Sequence, residues 1–177
     1  MHLQDKPETG NTIISIQVES SEEKDKKFIN LDEENSNIIL EITDYDLGIE
    51  PSWIITGKYI IIGFGLSLFQ FDAENKSFSK MVDLDAPFFE FLPYKDKIIV
   101  ICEYIIFIFD MDLCVKKIIN LGDIITKWEI SNNRLIYNLY EGETGDIMLD
   151  QLDWISTKDP KRKVKLHCKR SEKLNGD

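Results

Sequence analysis

The sequence predicts an all-β chain built from consecutive antiparallel β-hairpin sheets of about 37 residues each. Composition is the first observation: the 177 residues include 27 Ile but only Ala73 and Ala86, so the β-branched residue abounds while the best helix former is almost absent. Internal repetition is the second. Residues 58–72, KYIIIGFGLSLFQFD, return as KIIVICEYIIFIFD at 97–110, each opening on a lysine before an aliphatic run and closing on Phe-x-Phe-Asp. The segment 80–84 likewise matches 117–121 at an offset of 37, and 97–99 matches 134–136 at the same offset. Third, the breaks between apolar runs carry turn chemistry: Gly63 and Gly65, DAENKS, DAP, PYKD, LGD and SNN.

Taken in order, residues 14–19 alternate apolar and polar, the period of a half-buried strand, and 28–31 and 38–42 are two further strands between polar turns. The first unit reads as strands at 59–64, 66–72, 78–84 and 88–92; the second as 98–102, 104–110, 115–121 and 124–130. A partial third has 135–140, a turn at EGETGD, and 147–152. The stretch 66–71 partly alternates and predicts one wet face, whereas 104–109 is apolar throughout and predicts a strand covered on both faces.

These repeats, over residues 38–155, resemble β-propeller blades, although no WD40 or kelch signature is present. The resemblance implies an open, partial propeller-like arc. Trp53, Phe91 and Trp128 recur five or six residues ahead of the basic residues Lys58, Lys97 and Arg134. They read as core between blades or, in the alternative, as an exposed aromatic row.

The formal charge is −11 and unevenly spread. Residues 158–177 hold eight Lys/Arg against three acids, a net +5, so residues 1–157 form an acidic domain of −16. A body so charged repels nucleic acid and anionic membrane and attracts basic proteins. In the basic tail, residues 163–169 alternate as an edge strand and disorder is expected after Arg170. Three unpaired cysteines, no apolar leader and no membrane-length apolar run predict a cytoplasmic protein.

Little catalytic chemistry is in view. His2 and His167 are the only histidines, and neither stands near Ser67 or Cys102, the nearest approach to nucleophiles. DYDLG at 44–48 starts like a calcium loop and then departs from it, and Gly63-Phe64-Gly65 lacks the third glycine and helix of a phosphate loop. The reading is therefore of a non-enzyme with no cofactor and no metal.

What the units do repeat is acidic loops: Asp44, Asp46 and Glu50 before Trp53; Asp83, Asp85 and Glu90 around Phe91; Asp123 before Trp128; and the turn with Glu141, Glu143 and Asp146. Placed on one edge they predict a strip of negative potential that steers a cationic partner. A small, acidic, all-β, cytosolic chain of this kind resembles the immunity proteins of bacterial contact-dependent growth inhibition systems. That resemblance implies occlusion of a basic nuclease toxin domain, with carboxylates standing in for substrate phosphates. The alternatives are a propeller-like scaffold within a larger assembly, and a carboxylate-based hydrolase.

Overall fold

A computed structural model describes residues 1–7, 11–18, 25–33, 36–45 and 47–151, which form strands throughout and one short 3-10 turn, Leu149–Gln151. The basic tail expected as an edge strand lies outside these residues. The chain divides into two compact units, the first running from Met1 to Leu84 and the second beginning at Asp85.

The first unit holds two sheets. Strands β1 (His2–Gln4), β2 (Thr12–Gln17), β3 (Asp25–Glu33) and β4 (Ser36–Asp44) lie in the order β1-β3-β4-β2, with β2 parallel to β4 and the other pairs antiparallel. Strands β5 (Ser52–Thr56), β6 (Tyr59–Phe64), β7 (Ser67–Asp72) and β8 (Ser77–Asp83) form an antiparallel meander in sequence order. One core joins them: Ile29, Leu40 and Ile42 of the first sheet pack with Ile62, Phe69 and Phe71 of the second. Each such side chain contributes about 1.5–3 kcal/mol on leaving water.

The second unit repeats the meander. Strands β9 (Phe88–Tyr94), β10 (Lys97–Cys102), β11 (Ile105–Asp110) and β12 (Val115–Asn120) form a four-stranded sheet. Strands β13 (Ile125–Ser131), β14 (Arg134–Leu139) and β15 (Thr144–Met148) form a three-stranded one. Their shared core sets Ile99, Ile101, Ile106 and Ile108 against Ile125, Leu135 and Leu139.

The all-β expectation and the repeat are both present, and the repeat has a physical cause. Asp72 ends β7 and accepts the backbone N–H groups of Glu74 (3.1 Å) and Asn75 (3.0 Å), closing the turn into β8. Asp110 ends β11 and does the same for Asp112 (3.1 Å) and Cys114 (2.8 Å). The aspartate after Phe-x-Phe is thus a turn clamp. Lys58, at the head of β6, pairs with Asp72 across the hairpin at 2.9 Å.

The structure differs from expectation in phase and in coverage. Ser52–Thr56 is a strand, so Trp53 opens its sheet, and Phe88–Tyr94 begins the next sheet instead of ending the previous one. The expected strand at 147–152 begins earlier, at Thr144, and stops at Met148, where the 3-10 turn takes over. Strand β7, expected to have one wet face, is buried along its whole length, including Ser67, Gln70 and Asp72. Burial is tolerated because polar partners are supplied from β8 and its turn: Ser79 donates to Gln70 Oε1 at 3.1 Å, and Asp72 holds the bonds above. Strand β11 is covered on both faces, as its unbroken apolar run requires.

Trp53, Phe91 and Trp128 each sit on the first strand of a sheet, opposite Ile62, Val100 and Tyr137. Phe91 is buried, and Trp53 and Trp128 pack against the cores of their units, so the core reading describes these rings.

Candidate protein-binding face and cleft of the second unit

Four loops of the second unit are laced together at one end. Glu103 N–H donates to Pro87 O at 2.9 Å, Leu121 N–H to Tyr104 O at 3.0 Å, Ile125 N–H to Glu103 O at 2.7 Å, and Tyr140 N–H to Ile124 O at 2.8 Å. Side chains extend the lacing. The Tyr104 hydroxyl donates to Asp85 O at 2.8 Å, and Asp123 Oδ2 accepts Glu141 N–H at 3.1 Å. These loops, residues 84–87, 103–104, 121–124 and 140–143, carry Asp85, Glu103, Asp123, Glu141 and Glu143 and no lysine or arginine. Asp85, Glu141 and Glu143 are exposed; Glu103 and Asp123 are half-buried.

The opposite end of the same unit is balanced. There Lys95 pairs with Asp150, and Lys116 pairs with Asp110 at 2.6 Å. Tyr94 also donates to Asp150, at 2.9 Å. The cations hold the carboxyls of Asp150 and Asp110 below the usual carboxylate range, for Asp110 against the opposing effect of burial. Lysines thus answer the acids at that end, whereas the four loops carry none and leave Asp85, Glu141 and Glu143 exposed.

The structure sorts the sequence-predicted acids accordingly. Asp85, Asp123, Glu141 and Glu143 come together on this end, and Glu103, which the sequence reading passed over, joins them. Asp146 does not, because it lies within β15 and pairs with Arg134 at 2.6 Å. In the first unit Asp83 is exposed at the end of β8, and Glu50 faces Lys27 at 3.5 Å. Asp44 corrects the expectation outright. It is fully buried, accepting the N–H groups of Tyr45 (2.7 Å) and Leu66 (3.1 Å), so it ties β4 to the β6–β7 turn and cannot meet a partner. Asp46 lies outside the described residues.

Beside the acidic loops is a cleft of about 550 Å³, lined by Glu90, Lys127, Trp128, Glu129, Ile136 and Asn138. Two bulges shape it. Phe89 is the extra residue where β9 slips against Ile101 and Cys102 of β10, and Thr126 is the extra residue where β13 slips against β14. A bulge re-aims neighbouring side chains. Phe89 stacks on Trp128, with centroids 5.8 Å apart and planes at 18°, while the adjacent Glu90 accepts the Trp128 indole N–H at 2.6 Å. Thr126 turns its hydroxyl to Asn138 O at 3.2 Å. Sequence periodicity could not show this pairing, although Trp128 stands 37 residues after Phe91 in the repeat.

Candidate nucleophiles are placed unfavourably. Cys102 is buried, which pushes its thiol far above the ordinary range, and Ser67 is buried in β7. Among the described residues no three His, Cys, Asp or Glu side chains gather as a metal site, and no helix is long and apolar enough to cross a membrane.

No family model matches the chain, and no curated protein matches it. Among solved structures it is similar to Hsv2 of Kluyveromyces marxianus, at 18% identity and a TM-score of 0.44, over 64% of this chain and 36% of that one. It is also similar to BamB of Moraxella catarrhalis, at 14% identity and 0.42, over 54% and 30%. Both are β-propeller proteins, and the chain spans about a third of their length.

Proposed function

We propose that the chain is a non-enzymatic interaction module of propeller-like build that binds a cationic protein through the acidic end of its second unit. One observation carries this: five carboxylates sit on four hydrogen-bonded loops without a basic residue among them, while the opposite end neutralises its own acids. Loops fixed by backbone bonds hold charge in place before a partner arrives, which favours rapid, oriented association. A basic nuclease toxin domain, the client implied by the resemblance to immunity proteins, is one member of this class. The scaffold reading needs only the surface.

The test is association of the chain with a lysine-rich protein, followed at low and at physiological ionic strength. Association slows as salt screens the face, and charge reversal at Asp85, Glu141 and Glu143 together lowers both the rate and its salt dependence. Association indifferent to both would refute the proposal. For the toxin client, the chain is co-expressed with the cationic C-terminal domain encoded beside it; death of the cells at the rate seen without the chain rejects that client.

A further inference from the structure

Ile124 and Tyr140 meet where two of the acidic loops join. In the ladder of β13 and β14, Ile125 lies opposite Leu139, and both side chains are buried in the core of the second unit. The next pair outward is Ile124 and Tyr140, joined by the Tyr140 N–H donating to Ile124 O at 2.8 Å. Alternation along a strand turns these two side chains to the face away from the core. There Ile124 is 40% and Tyr140 75% exposed, and residues opposite each other on one face stand close enough to form a single apolar surface.

The backbone beneath the pair is held. Leu139 N–H donates to Glu143 O at 2.8 Å, Gly142 N–H to Leu139 O at 3.1 Å, and Ile124 N–H to Asp123 Oδ1 at 2.7 Å. A tyrosine presented on fixed backbone gives up little freedom when a partner covers it. The other large hydrophobics exposed in the second unit among the described residues, Met111 and Ile130, lie toward the opposite end. The exposed carboxylates Glu141 and Glu143 border the pair on its loop side, and Lys127, opposite Asn138 on the same face, bounds it toward the middle of the sheet. An aromatic and an aliphatic side chain edged by carboxylates complement a segment that is apolar at its centre and cationic around it.

From this we infer that the Ile124–Tyr140 pair is the apolar anchor of the acidic face and receives an apolar side chain from a basic segment of the partner. The inference rests on the interaction-module reading and deepens it. Charge draws the segment in and orients it, whereas covering the pair slows its departure.

The experiment titrates the full chain with two lysine-rich peptides of equal charge, one with a central phenylalanine and one with serine in its place, followed by fluorescence anisotropy. The native chain binds the phenylalanine peptide about tenfold more tightly, and this ratio persists as salt is raised because apolar contact is scarcely screened. Tyr140→Ser combined with Ile124→Ser erases the ratio, and Tyr140→Leu, which keeps an apolar side chain, preserves most of it. Both side chains project into solvent, so the variants retain the native fold, as thermal unfolding checks. Equal affinity of the two peptides for the native chain, or a ratio that survives the double substitution, overturns the anchor while leaving the acidic face standing. No binding of either peptide at low salt overturns both.

Discussion

The Trp128 indole N–H is 2.6 Å from Glu90 Oε2, joining β13 to β9 across the two sheets of the second unit. The bond works with the Phe89 stack, so the ring is held on its face and at its nitrogen. Glu90→Ala leaves the N–H without its charged acceptor. A loss of about 1 kcal/mol is expected in chemical denaturation, discounted from the value of a buried charge-assisted bond because Glu90 is exposed. Glu90→Gln retains an acceptor and loses less.

Gly65 and Asp44 form a second tie, in the first unit. Gly65 has φ +58°, and a Cβ built there would fall 2.8 Å from both Asp44 Cγ and the Tyr45 carbonyl oxygen. Gly65→Ala combines backbone strain with that clash and is expected to cost about 2–4 kcal/mol, read as a lowered thermal midpoint. Asp44→Ala strips the Leu66 N–H of its acceptor and costs about 1–3 kcal/mol.

Acid should weaken the first unit through Asp72. Backbone donation from Asn75, together with the Lys58 ammonium, lowers its pKa from 3.8 to about 2. A depressed carboxyl stabilises the fold above its unfolded value, and that contribution fades as pH falls from 3.8 toward about 2. Denaturation midpoints measured across this window therefore drop for the native chain, and drop less steeply for Asp72→Asn.

Phe109 lies in β11, covered on both faces, with its ring 5.9 Å from that of Phe107. Phe109→Ala opens a cavity in that packing and is expected to cost about 3–5 kcal/mol in chemical denaturation. Met111→Ala, two residues on at a position 39% exposed, should cost far less.

How far these features were legible depends on how local their causes are. The unbroken apolar run of β11 announces two-sided burial, and Phe-x-Phe-Asp repeats because Asp72 and Asp110 clamp turns only two to four residues away. Paired positive-φ residues at Asn132 and Asn133 likewise make SNN a tight hairpin turn. Distant partners hide the rest. Asp44 reads as an exposed loop acid because its acceptor role is defined by Leu66, 22 residues on. Strand β7 reads as half-wet because Gln70 meets Ser79 only once β8 has folded back. Each acidic loop is visible singly in the sequence, but only the backbone bonds among them show which share an end. The cleft depends on two bulges, and a bulge leaves no periodic trace.

From Ser52 onward every strand pairs with its immediate neighbour in the chain, so each four-stranded meander closes within about 33 residues. Such short-range closure spares the entropy of drawing remote segments together and favours rapid folding. A ribosome releasing this chain would therefore hand over one finished sheet after another. The parallel contact of β2 with β4 differs: the earlier strand must wait, its edge unmet, until Ser36–Asp44 has emerged.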